Sequence, residues 1–127
     1  MTAAGFAAVG IGAAIGAWLR WALGAGLNAV VPQLPLGTLL ANLIGGYLIG
    51  VAVAVFDEAA GFTPELRLLV ITGFLGGLTT YSTFSAESVA LLQSGRYGWA
   101  VAHTGAHLAG SVALTVLGMM TVRMLRG

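Results

Sequence analysis

Residues 73–85 read GFLGGLTTYSTFS, a glycine-rich start followed by a run in which every residue from Thr79 to Ser85 except Phe84 carries a hydroxyl group. The chain around this run is 58% hydrophobic and only 7% charged, a composition typical of membrane proteins. In lipid, backbone N–H and C=O groups that leave a helix find no water, so irregular backbone occurs only where protein buries it or a polar cavity receives it. The run therefore predicts a break within a membrane helix and an ion or substrate site beside it.

Four membrane spans are predicted, because a helix that crosses the hydrocarbon core needs about 20 mostly apolar residues. The predicted spans lie near residues 3–27, 36–56, 64–92 and 97–125, and together they form one four-span membrane domain, 1–127. Thr63, Pro64 and Glu65 form a typical helix start, with a capping residue, a proline in the first turn and an early acid. The first stretch lacks a basic leader and exceeds a signal-peptide core, so we expect it to be retained.

Several classes of function lose support from composition alone. A net charge of +1 without any lysine offers no basic patch for nucleic acid. The absence of cysteine removes disulfides, thiolate metal sites and cysteine nucleophiles. Neither a serine, histidine and carboxylate set nor paired carboxylates share a predicted polar site, so we do not expect an enzyme.

The arginines give little preference for one orientation in the membrane. Arg67, Arg123 and Arg126 fall on one predicted side, and Arg96 and Arg20 on the other. Such a chain can insert in both directions and pair as an antiparallel dimer, or one orientation can dominate through another determinant. We find no internal repeat, so a second copy is the economical source of the missing half of a transport path.

Polar residues inside the spans fall on shared helix faces. Thr38 and Asn42 are four residues apart in the second span, which places both side chains on one face. Asn42 either makes an interhelical hydrogen bond that only stabilises the bundle, or faces a polar path. Its shared face with Thr38 and the hydroxyl-rich run one span later favour the polar path.

The fourth span carries a polar stripe at four-residue spacing. His103, His107, Ser111 and Thr115 follow one another at this interval. Two histidines so spaced can chelate a metal ion, but the sequence shows no third ligand nearby. Hydrogen bonding along a water-accessible track is the simpler interpretation.

The predicted break offers two kinds of chemistry. Carbonyl oxygens that leave helical geometry suit a small hard cation, whereas hydroxyls and the N-terminus of a half-helix suit an anion. Tyr81 and Phe84 can present positive ring edges to an anion, although aromatics at this spacing often serve core packing. Arg20 either extends to the interface or has a functional role, and Glu87 is expected near a vestibule or solvated at the interface.

Three stretches together resemble one known family. GFLGGLTTYSTFS at 73–85, GTLLANLIG at 37–45 and GAWLRW at 16–21 are similar to the corresponding motifs of the Fluc family of fluoride channels, also called CrcB. The resemblance extends over essentially the whole chain, including the four spans and the loop lengths.

The resemblance implies an all-α, dual-topology, antiparallel homodimer in the bacterial inner membrane, with a third helix broken at mid-membrane. It implies passive export of fluoride through two pores and a structural, non-transported sodium ion held by the backbone carbonyls of Gly76 and Thr79 of each subunit. The residues that match the fluoride pore are Asn42, Tyr81, Ser82, Thr83, Phe84 and Ser111, and a further track or vestibule set is Arg20, Thr38, Glu87, His103, His107 and Thr115.

Two departures from the family pattern bear on the pore. The family usually has phenylalanine where this chain has Tyr81, and mainly hydroxyl or small residues at the positions of His103 and His107. A small four-span multidrug exporter is the alternative transporter, but such proteins resemble one another in a glutamate in the first span, where this chain has no acid. An assembly subunit without transport would use Asn42 and the hydroxyl stripe only for packing.

Overall fold

The structure is a computed structural model that describes residues 1–58 and 61–127. Its described part contains four helical stretches long and apolar enough to cross a membrane, which confirms the predicted number of spans. The elements are α1 Ala3–Leu27, α2 Leu36–Glu58, α3 Pro64–Arg67, a π-helical segment Leu68–Leu75, α4 Gly76–Leu78, α5 Tyr81–Gln93 and α6 Tyr97–Arg126. Elements α3 to α5 together form the third span.

The predicted helix start at Thr63 is confirmed. The Thr63 side chain accepts a hydrogen bond from the backbone N–H of Leu66 at 3.2 Å, and Pro64 stands in the first turn. Arg67 donates from its guanidinium to the carbonyl oxygen of Phe56 at 2.9 Å. Its guanidinium also lies 5.7 Å from the centre of the Phe56 ring, so Arg67 ties the third span to the end of α2.

The third span is broken near its middle, as predicted, but over a shorter length than the polar run suggests. Thr79 and Thr80 alone within residues 64–93 have extended backbone, with ψ of 155° and 116°. Tyr81 and the residues after it are helical, because Thr80 caps α5 and accepts a hydrogen bond from the N–H of Thr83 at 3.1 Å. The π-helix that precedes the break was not foreseen.

Glycines bring the spans into backbone contact. A Cβ atom at Gly12 or Gly16 of α1 would overlap the carbonyl oxygens of Leu69 and Phe74 in the third span. A Cβ atom at Gly118 of α6 would likewise overlap the carbonyl oxygen of Tyr47 in α2. Such small-residue contacts are the usual basis of helix packing in lipid. They hold the broken third span against α1 and hold α6 against α2.

The buried apolar centre is small and lies between α2 and the third span. Its members are Ala41, Ala52, Phe56, Leu75 and Leu78. Leu78 is fully buried and immediately precedes the break, so the chain is anchored on one side of Thr79. The antiparallel dimer stays a prediction.

Candidate functional site

Asn42 of α2 holds the broken backbone by a pair of hydrogen bonds. Its Oδ1 atom accepts from the N–H of Thr80 at 2.7 Å, and its Nδ2 atom donates to the carbonyl oxygen of Thr80 at 3.0 Å. Both polar backbone groups of Thr80 thus gain a partner where no helical partner exists, which offsets the cost of leaving them unpaired in lipid. The pair also fixes the orientation of the amide.

The break releases backbone carbonyl groups from their helical donors, and those of Gly76 and Thr79 are two of them. In a continuous helix the N–H of Thr80 would bond to Gly76, and the N–H of Thr83 to Thr79. Here the first donates to Asn42 and the second to the Thr80 hydroxyl. The Gly76 and Thr79 carbonyl oxygens are therefore left with lone pairs of the kind that a hard cation prefers.

An open groove of about 650 Å³ runs along the break, and we call it the central groove. The third span forms one wall, while α2 and α6 form the other. Its polar lining comprises Asn42, Thr79, Thr80, Tyr81, Thr104, His107, Ser111 and Thr115. Since the break lies at the middle of a 30-residue span, these side chains fall at membrane depth.

A second, smaller cavity of about 230 Å³ lies on the other side of Thr80, and we call it the side pocket. Arg20 lines it and donates from Nε to the carbonyl oxygen of Gly77 at 3.0 Å. Thr38, Thr83 and Asn28 complete its polar lining. Arg20 therefore points to the broken backbone, and Thr80 is the residue that borders both cavities.

Glu87 of α5 is held between two other helices. Its Oε2 atom accepts from the Thr38 hydroxyl at 2.7 Å, and its Oε1 atom lies 3.0 Å from Nε2 of His103. The other nitrogen of His103, Nδ1, lies 3.0 Å from the hydroxyl of Ser88. Asn28 accepts from the backbone N–H of Thr38 at 3.1 Å and extends the chain of contacts to α1. Glu87 is thus a structural link between α2, α5 and α6.

Phe84 is the centre of an aromatic stack. Its ring is parallel to that of His103 at a centroid distance of 5.3 Å and tilted against His107 at 4.8 Å. Tyr81 lies 5.6 Å from Phe84, but 81% of its surface is exposed in the single chain. Core packing accordingly accounts for Phe84 only in part and does not account for Tyr81.

His107 presents an unusual buried polar atom. Asn42 donates through Nδ2, so the Nδ1 atom of His107, 3.0 Å away, is the acceptor. In the neutral ring Nε2 then carries the proton. Among the residues that the structure describes, this buried Nε2 has no hydrogen-bond partner. An unpaired buried donor costs about 1–3 kcal/mol, so the position suits a ligand that accepts a hydrogen bond.

The residues predicted from the sequence are distributed over these features. Those that border the central groove are Asn42, Gly76, Thr79, Tyr81, Phe84, His107, Ser111 and Thr115. Those that border the side pocket are Arg20, Thr38 and Thr83. Glu87 and His103 form the contact between α5 and α6, and Ser82 is exposed with its hydroxyl 3.3 Å from that of Thr80.

Sequence reasoning missed two residues of the site. Thr80 was not singled out within the hydroxyl run, although it caps α5 and bonds to Asn42. Asn28 was also missed, and it bonds to Thr38 through both its oxygen and its nitrogen. A helix-capping hydroxyl directly before the resumed helix was the available signal for Thr80. Asn28 follows the end of the first span and carried no comparable signal.

Comparison with known proteins decides the family. Residues 7–119 match the family described as "CrcB-like protein, Camphor Resistance (CrcB)". The chain belongs to the CrcB family. This membership confirms the resemblance seen in the motifs at residues 16–21, 37–45 and 73–85, and with the four spans it identifies a multi-pass membrane protein.

Curated relatives of this CrcB chain carry a common name. A protein of Ralstonia pickettii (strain 12J), named "Fluoride-specific ion channel FluC", is 66% identical over 97% of this chain and 98% of its own length. Proteins with the same name from Cupriavidus taiwanensis and Pseudomonas paraeruginosa (strain DSM 24068 / PA7) are 64% and 57% identical over 95% and 94% of this chain, and over 96% and 94% of their own lengths. These names denote channels, in agreement with the expectation that the chain is not an enzyme.

Proposed function

We propose that this protein is a fluoride-selective channel that lets fluoride leave the cell passively and so lowers its toxicity. The observation that carries the proposal is the Asn42–Thr80 pair at membrane depth, in a chain similar over nearly its whole length to proteins named fluoride-specific ion channels. The bacterial inner membrane is the proposed location.

The groove supplies the donors that fluoride requires. Fluoride holds its water strongly, so a selective path replaces that water with several donors and yet lets the ion leave. The donors available there are the Nε2–H group of His107, the hydroxyls of Tyr81 and Thr104, and the ring edges of Tyr81 and Phe84, all of them neutral and individually weak. Fixed positive charge lies apart from them, at Arg20 in the side pocket. Such a lining attracts fluoride without trapping it.

A second copy of the chain is proposed to complete the path. Tyr81 is mostly exposed in the single chain, and the central groove is open along polar residues at membrane depth. Lipid would leave the carbonyl oxygens of Gly76 and Thr79 without donors, at a cost of several kcal/mol for each of them. An antiparallel partner covers the groove and generates two pores related by a two-fold axis.

A structural sodium ion is proposed at the interface of the two copies. The Gly76 and Thr79 carbonyl oxygens have lost their helical donors, and both residues border the central groove. Oxygen donors of this type fit a small hard cation. Two carbonyls from one chain are few for such an ion, whereas two chains together provide four. The ion would hold the two breaks together and would not be transported.

The function is tested by fluoride efflux from liposomes that contain the purified protein, measured with a fluoride electrode. We expect rapid efflux that protein-free liposomes do not show, and we expect it to fall when sodium is replaced by a large organic cation throughout purification and assay. Absence of fluoride efflux in sodium would contradict the channel. Equal efflux without sodium would contradict only the sodium requirement.

A further inference from the structure

We propose that Glu87, His103 and His107 form a binding site for a divalent transition-metal ion of the zinc class. One ligand atom from each residue lies within 4.8 Å of the other two, and both histidines are buried. The sequence alone showed no third ligand near the two histidines. Glu87, on the neighbouring helix, supplies it.

The donor set is that of a zinc-class ion. Two imidazole nitrogens and one carboxylate oxygen suit Zn²⁺ and its neighbours, and leave a fourth position for water or an anion. Ligand atoms about 2.1 Å from a tetrahedral Zn²⁺ lie about 3.4 Å apart, so rotations that move side-chain ends by about 1 Å close the site. Nε2 of His103 and Oε1 of Glu87 are already 3.0 Å apart.

Hydrogen-bond partners hold two of the three ligands, His103 and Glu87, in the state that metal binding requires. A metal-binding histidine usually donates its other ring N–H to an oxygen atom. When Nε2 of His103 takes the metal, its proton moves to Nδ1, which faces the Ser88 hydroxyl at 3.0 Å. The second carboxylate oxygen of Glu87 is held by the Thr38 hydroxyl. Both ligands therefore keep a hydrogen-bonded partner.

His107 connects the metal site to Asn42. If Nδ1 of His107 binds the metal, the Asn42 amide loses its acceptor. If Nε2 binds the metal, the ring proton moves to Nδ1 and faces the Asn42 amide N–H. Either choice breaks the hydrogen bond between His107 and Asn42. Metal binding therefore competes with the arrangement that leaves Nε2–H free for an anion.

Calorimetric titration of Zn²⁺ into the detergent-solubilised chain tests the site directly. The protein must be free of a histidine tag, because the chain itself has only two histidines. We expect one Zn²⁺ per chain, an affinity about tenfold lower in Ser88→Ala, and a larger loss in His103→Gln and in Glu87→Gln. Glu65→Gln, which removes a carboxylate outside the cluster, is the matched control and should bind as tightly as the unaltered protein.

Two results of the titration would overturn the proposal. One is the absence of saturable binding in the unaltered protein. The other is an affinity that His103→Gln and Glu87→Gln leave unchanged, which would place the metal elsewhere. Because these variants can fail to fold, the visible absorption of Co²⁺ bound to the unaltered protein is the second measurement. Intensified four-coordinate bands support the site, and the weak spectrum of aqueous Co²⁺ contradicts it.

A bound metal also has a predicted effect on flux, and this part rests on the proposed function. Zn²⁺ would draw His107 from Asn42 beside the Phe84 ring and slow fluoride efflux. We expect that Zn²⁺ slows efflux several-fold in the unaltered protein and has little effect in Glu87→Gln, each relative to its own rate without metal. Zn²⁺ binding without inhibition would overturn the link to Asn42 but would not contradict the metal site. The proposed channel is tested separately, by fluoride efflux in the absence of metal.

Discussion

The backbone is stabilised in opposite ways at the glycine contacts and at the break. At Gly12 and Gly16 the backbones of α1 and the third span touch without intervening side chains. At Thr79 and Thr80 the backbone opens, and the Asn42 side chain occupies the place of helical partners. Lipid provides no hydrophobic driving force between helices, so close contact supplies the stability. The glycine contacts hold the third span in place, and the break in that span provides the proposed ion site.

Replacement of Asn42 by alanine is expected to have the largest effect, because it removes the pair of hydrogen bonds that hold the backbone of Thr80. The N–H and C=O of Thr80 both lose their partner, and His107 loses its donor. We expect fluoride efflux to fall about a hundredfold, as for other preorganised donors. The measurement is the initial efflux rate per reconstituted protein.

The matched control for Asn42 is Thr121→Val. It removes a hydroxyl that binds Tyr47 at 3.1 Å in α2, away from the break. Efflux should then stay within about twofold of the unaltered rate, since a hydrogen bond of about 1 kcal/mol is lost outside the path. Full efflux in Asn42→Ala, with normal assembly, would show that Asn42 serves only packing and has no role in the path.

Gly12→Ala tests the glycine contacts between α1 and the third span. The new Cβ atom would overlap the Leu69 carbonyl and lie 2.8 Å from the backbone nitrogen of Phe74. Because backbone atoms cannot rotate away, we expect a loss of about 3 kcal/mol in stability, the upper part of the usual range for overpacking. Thermal unfolding followed by size-exclusion chromatography measures it.

Gly10→Ala is the control on the same helix. A Cβ atom at Gly10 has nothing within 4 Å, so the unfolding temperature should hardly change. Equal losses in the two variants would show that the contact between α1 and the third span does not carry the stability.

Thr80→Ala is expected to have the smallest of these effects. It removes the hydroxyl that caps α5 while the backbone pair with Asn42 remains. Loss of a cap costs about 1 kcal/mol, and we expect efflux to fall about fivefold because the cap also orders the break. Thr63→Ala removes the corresponding cap of α3 and should cost similar stability without slowing efflux. Equal efflux in the two variants would show that the Thr80 hydroxyl has no role in the path.

Local chemistry explains which parts of the fold were predictable. The ends of the four spans follow from apolar length, and the start at Thr63 follows from its cap and Pro64. The break was predictable because glycines and hydroxyls interrupt an apolar stretch. Its short extent was not, since the backbone after Thr80 returns to a helix once the Thr80 hydroxyl caps it.

Contacts between helices were beyond the reach of the sequence. The π-helical segment lies in backbone contact with α1, and spacing along one chain does not encode such a contact. Glu87 and His103 lie 16 residues apart on consecutive helices, and they meet because α5 packs on α6. The motifs did select Asn42, but its partner Thr80 became evident only from the folded backbone.

The most direct test of the central claim compares two anions in the same liposomes. Vesicles loaded with equal fluoride and chloride, with the purified protein and sodium present, are followed with one electrode for each ion. We predict fast fluoride efflux and chloride efflux no faster than from protein-free vesicles. Equal release of both ions, or release of neither, would contradict a fluoride-selective path along the break at Thr79 and Thr80.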